Sequence, residues 1–153
     1  MDKPETKDLA NYHRYFVIHC NNEFWDLSER ELDPVEKRKL ISIAYSSLYH
    51  WQEVGTDDNV HLAILAVARA HCIIESMHSV HYASQAFDYF DGCGENWIQA
   101  LTNAVLSHAL YVVGNKKQSA LLYENAARLK TSLSDGDRKV FEATFKLIPK
   151  PDS

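Results

Sequence analysis

Glycine and proline are scarce: the 153 residues hold five of one and four of the other. No stretch alternates apolar and polar residues for long enough to read as a strand. An all-β or doubly wound α/β domain is thereby disfavoured, and a helical chain is left. No apolar run approaches the roughly 20 residues that a membrane span needs, so no membrane partner is expected. Clustered basic charge is missing too. With a net charge of −5, the electrostatic footprint of a nucleic-acid binder is absent. Cysteine is limited to Cys20, Cys72 and Cys93; their spacing suits no metal-ligand pair, and an odd number fits no disulfide framework. Residues 1–8 are charged where a signal peptide needs an apolar core. A single domain in the reducing cytoplasm is the expectation, with residues 1–7 and 149–153 as disordered tails.

The signatures of catalysis are absent as well. There is no Gly-rich phosphate loop, no serine nucleophile elbow and no carboxylate pair in an apolar setting. Asp57 and Asp58, like Asp135 and Asp137, stand at helix starts, where the macrodipole favours negative charge. No cofactor is called for, and an enzyme is not the expected class.

What is present is helical periodicity. A first helix spans about 8–28, with Leu9, Tyr12, Phe16, Cys20, Phe24 and Leu27 on one stripe. A second opens at Asp33-Pro34-Val35-Glu36: an N-cap, a proline at the first helical position, and an acid three residues after the cap. Leu40, Ala44, Ser47, Leu48 and Trp51 form its inner face. After Gly55, with Thr56 or Asp57 as cap, a third helix covers about 58–74. Apart from Arg69 it is nearly free of charge, so it is expected to be buried on more than one side. Further helices follow at about 78–90, 95–113 and up to 131. A seventh starts at Ser134-Asp135-Gly136-Asp137, carries Phe141, Phe145 and Ile148 on one stripe, and stops at Pro149.

One unit occurs twice. Its clearer copy runs from Leu106 through Ala109, Gly114 and Tyr123 to Ala126 and Ala127. Large, small and aromatic residues at these offsets from the Gly let two antiparallel helices pack closely, as in tetratricopeptide repeats. The earlier copy has Ala70, His71 and Ile74 before its turn and Ala83 and Ala86 after it, with Glu75-Ser76-Met77 in place of the Gly turn. Each pair has an apolar face that it cannot bury alone, so the pairs are expected to stack. The expected fold is all-α: a right-handed α-α superhelix of about seven antiparallel helices. A generic helical bundle is the alternative.

A closer resemblance rests on Asn22-Glu23-Phe24-Trp25-Asp26-Leu27, on Tyr45 through Tyr49-His50-Trp51 to Val54-Gly55-Thr56, and on Asn59. In these segments the chain resembles a family of small bacterial tetratricopeptide-like proteins of uncharacterised function. The likeness covers most of the chain, from about Phe16 to Phe145. The chain departs from the family in having Asp57 and Asp58 where a proline is usual, and in lacking a Gly between the third and fourth helices. The resemblance implies a helical array and no particular activity.

The candidate functional residues are few. His50, Arg69, Asn22 and Asn59 are candidates for a polar cluster where the first three helices meet, with Tyr49 or His50 turned to a groove or to solvent. The structural reading, favoured here, has Asn22 and Asn59 satisfying helix ends. His71, His78 and His81 fall around one turn, but no carboxylate stands at ligand spacing beside them, so half-buried packing is preferred to a metal site. Tyr15, Ile18, Asn22 and Trp25 form a second stripe on the first helix. It suggests packing against another chain, most simply as a two-fold homodimer. The expected role is a scaffold or module binding a protein or peptide. The rivals are a small-molecule or hydrolytic site near His50 and Arg69, and a self-associating subunit.

Overall fold

The computed structural model describes residues 5–152. They form α1 (Thr6–Ser28), α2 (Pro34–Val54), α3 (Asp57–Ile73), α4 (Ser79–Phe90), α5 (Asn96–Val112), α6 (Lys116–Lys130) and α7 (Asp135–Phe145). Among the described residues there is no strand, and no helix is long and apolar enough to cross a membrane. Residues 1–4 and 153 of the expected tails lie outside the described residues. Of the remainder, Thr6 and Lys7 already belong to α1, and Pro151 is buried.

Local sequence explains most of the boundaries. Asp33 accepts hydrogen bonds from the Val35 and Glu36 amides, while the Glu36 side chain accepts one from the Asp33 amide, a complete capping box. Thr56 and Asn59 exchange the same pair of bonds at the start of α3. At the end of α5, Gly114 takes φ 82°. Its amide donates to Tyr111 and the Asn115 amide to Leu110, two carbonyls that would otherwise be orphaned. The turn between α3 and α4 has the same form without a glycine. Glu75 takes φ 56°, its amide donates to Cys72, and the Ser76 amide donates to His71. The departure from a Gly turn thus changes the strain and leaves the hydrogen-bond pattern intact.

From α1 to α6, consecutive helices pack against one another through short turns. The odd-numbered helices also adjoin in series, α1 on α3, α3 on α5 and α5 on α7. The two in the middle are enclosed. Residues 63–72 of α3 and 100–109 of α5 are all buried, as the Ala-rich, charge-poor third helix implies. Small residues allow the close approach. Ser107 and Ser119 each donate a hydroxyl to the other's carbonyl, at 2.8 Å, where α5 meets α6. One apolar cluster runs from α3 to α7 and includes Leu65, Ala86, Ala104, Phe141 and Phe145. A second, with Phe24, Leu40, Ala44 and Val67, binds α1 and α2 to α3. Trp25, Leu48 and Tyr82 touch both clusters and join them. At the far end Phe145 stacks between Phe141 and Tyr123, and Ile148 is buried.

The first helix departs from its expected stripe. Phe24 is buried, but Leu9, Tyr12 and Phe16 are exposed, and the buried residue of the N-terminal half is Val17. Helical spacing reports amphipathicity, and at this end of α1 the neighbouring α2 covers the stripe only in part, with His50 stacked on Phe16.

The two turns make opposite predictions. A Cβ on Gly114 would meet nothing within 4 Å, so Gly114→Val acts through the backbone alone. It should cost about 1 kcal/mol or more. Glu75→Gly should gain about 0.5–1 kcal/mol, because it relieves a left-handed non-glycine residue at some entropic cost. Thermal melts of both variants check this. A Glu75→Gly protein melting below wild type would show that Glu75 is not strained.

Candidate functional site

The four residues considered as one polar cluster are engaged separately. Asn59 belongs to the α3 capping box, the structural role favoured from sequence. Asn22 is exposed on α1. His50 lies with its Nδ1 2.8 Å from that of His13 and stacks on Phe16, while Tyr49, beside it, is exposed. Burial and the neighbouring His13 lower the pKa of His50. Arg69 meets none of these groups. A single site built from His50 and Arg69 is therefore not formed.

Arg69 has the least usual surroundings in the chain. It is 1% exposed, and among the described residues no carboxylate pairs with it. Its Nη1 donates to His108 Nδ1 at 2.8 Å, and its Nη2 makes one long bond, 3.4 Å, to the Ser28 carbonyl. Its Nε has no partner. His108 accepts at Nδ1, so the ring carries its proton on Nε2 and is neutral. Burial, with the Arg69 charge second, pushes its pKa down to about 3. Burial likewise lowers the pKa of Arg69, although a guanidinium stays protonated in proteins. Arg69 and His108 each stand six residues before the left-handed residue of their turn, Glu75 and Gly114. They hold matching positions before two turns of the same form.

The pair lines a cavity of about 440 Å³ together with Cys72, Arg30, Lys37, Glu31 and Glu75. Cys72 is buried, and desolvation raises its thiol pKa to about 12. It is therefore a packed, unreactive thiol.

A second cavity, about 460 Å³, draws on all four odd-numbered helices. Trp25 comes from α1, Leu62 from α3, Trp97 and Leu101 from α5, and Val140, Phe141 and Thr144 from α7. Its lining is mainly apolar. Asn21, Glu29 and Asp137 are the other polar members, and no basic residue lines it. The Trp97 indole donates to Glu95 at 3.0 Å, which fixes one aromatic wall. Trp25 thus faces this groove and the core, and it leaves the outward stripe that Tyr15 and Ile18 keep.

Of the histidines at the α3–α4 turn, His71 is packed: it is buried, bonds the Tyr45 hydroxyl through Nε2 at 2.8 Å and stacks on Tyr82. His78 and His81 are exposed, so the half-buried packing expected of them is not found. Among the described residues no group of three or more His, Cys, Asp or Glu is placed to hold a metal ion. Sequence reasoning missed Trp97 and His108 as site residues. Eleven residues apart, the two share one face of a helix with Leu101, Ala104 and Val105, and nothing in that pattern separates groove from core. No protein family, curated protein or solved structure matches the chain.

Proposed function

We propose that this chain is a tetratricopeptide-like module, a right-handed stack of helix pairs, that holds a protein or peptide partner in the groove lined by its odd-numbered helices. The observation that carries the reading is the convergence of α1, α3, α5 and α7 on one apolar cavity walled by Trp25 and Trp97. Two aromatic walls with an apolar floor suit an anchor side chain, and aromatic anchors dominate many protein interfaces. Glu29 and Asp137, in a groove that no basic residue lines, favour a partner carrying Lys or Arg next to its anchor. No chemical step is assigned to the groove, since no nucleophile–base pair lines it among the described residues. Three free thiols suit a reducing, cytoplasmic setting.

Selection of a random peptide library on the immobilised protein tests the reading. Enriched peptides should pair an apolar residue with a basic one. They should bind at least about tenfold more weakly to Trp97→Ala, the loss typical of an interface hot spot. Val140 is 67% exposed, so Val140→Glu should leave the melting temperature unchanged and still block binding. Peptides that bind both variants as well as wild type would exclude the groove.

A second reading, self-association, is supported by the outer end of α1. Tyr15, Ile18 and Tyr12 are 66%, 59% and 57% exposed, and Tyr49 of α2 beside them is 54% exposed. Apolar side chains gathered in this way on a soluble chain commonly mark an interface, and a second copy in a two-fold dimer is the simplest partner. Light scattering over a range of concentrations should show a dimer that Tyr15→Glu/Ile18→Glu converts to monomer. A wild-type monomer at every concentration would remove this reading.

A further inference from the structure

Arg69, 1% exposed and bonded to no carboxylate among the described residues, lines a cavity that is separate from the groove and that Arg30, Lys37, Glu31 and Glu75 also line. A guanidinium takes both oxygens of a carboxylate or phosphate through two parallel N–H groups. In Arg69 the Nη1 is committed to His108, while Nε has no acceptor and Nη2 has only the long bond to Ser28. A buried charge left in this state is costly unless something pairs with it. The chain's own acids do not. Glu36 is bonded to Arg30 at 2.6 Å, and Glu31 and Glu75 line the cavity without bonding Arg69. Two more cations, Arg30 and Lys37, line the same space, and Lys37 forms no ion pair among the described residues. Neutral His108 adds an N–H donor and no charge.

The geometry points to a binding site for a small oxyanion, the carboxylate or phosphate group of a small molecule, held by Arg69 with Lys37 and His108 in the roughly 440 Å³ cavity between the α1–α2 connection and the C-terminal half of α3. The volume admits a molecule of several heavy atoms besides the anionic group. The apolar walls at Leu32, Ile73 and Leu147 would contact its remainder.

The test is thermal melting at constant ionic strength, with chloride replaced stepwise by inorganic phosphate or, separately, by acetate. Specific binding saturates, whereas general salting-in or salting-out of the surface does not. At a hundredfold excess over Kd the better anion should raise Tm by about 5 °C or more. The anion with the lower Kd identifies the group. In Arg69→Met, which keeps the side-chain length without the charge, the saturable shift should vanish. Should that variant fail to fold, Lys37→Ala should still raise the Kd several-fold. Broadening of the phosphate ³¹P resonance by wild-type protein gives an independent reading if phosphate is the better ligand. The proposal is overturned if neither anion raises Tm saturably above chloride. It is overturned equally if the shift persists in Arg69→Met, or if Lys37→Ala binds as wild type does.

Discussion

A guanidinium without a carboxylate sits where α1, α3 and α5 converge, and the arrangement of the core follows from keeping it there. Removing an ion from water costs several kcal/mol even after relaxation. Against that stand one hydrogen bond to His108 and a weak one to the Ser28 carbonyl. Both need fixed backbones. Ser28 closes α1, and His108 lies in the run of α5 that is buried all round. The contact therefore ties the first helix pair to the later pairs by polar geometry as well as by apolar packing. It also requires a neutral imidazole, since a protonated ring would have no lone pair to offer and would add a second charge. The unfolded ring takes up its proton near pH 6.5 and the folded one near 3. Stability from this group is thus complete above pH 6.5 and is lost as pH falls towards 3.

Two turns of the same form place these residues alike. The corresponding turns of α3–α4 and α5–α6 share a left-handed residue and the same two closing hydrogen bonds. Arg69 and His108 occupy matching places before those turns, so stacking one unit on the next brings the positions together. Further along, the second helices keep buried small residues at Ser79 and Ala86 and again at Ser119 and Ala126. They lie one residue further apart than the first helices do, because the α3–α4 turn enters its second helix differently. The odd-numbered helices, which adjoin in series, supply one face each to the apolar groove, and the even-numbered helices supply none of its lining.

Much of this was legible in the sequence. Asp33-Pro34-Val35-Glu36, Gly55-Thr56 and Gly114-Asn115 are local capping chemistry, which acts within a few residues and so can be read without knowing the fold. The burial of α3 followed from its lack of charge. Arg69 was visible as the exception in that helix, but its partner was not, because a polar contact across 39 positions depends on a repeat register that Glu75-Ser76-Met77 obscures. The same limit separated His50 from the polar cluster imagined for it. Spacing on a helix says which residues share a face and is silent on what stands opposite. It likewise placed Leu9, Tyr12 and Phe16 on one stripe with Phe24, although α2 covers that end only in part and leaves all three exposed.

A neutral His108 accepting from Arg69 is observed directly by ¹⁵N nuclear magnetic resonance of the histidine rings. The His108 resonances should show a bare, hydrogen-bonded Nδ1 and a protonated Nε2, unchanged from pH 8 down to the acid limit of the folded state. In Arg69→Met the Nδ1 signal should lose its hydrogen-bond shift. A His108 ring that titrates near pH 6.5, or that carries its proton on Nδ1, would contradict the buried pair on which the rest is built.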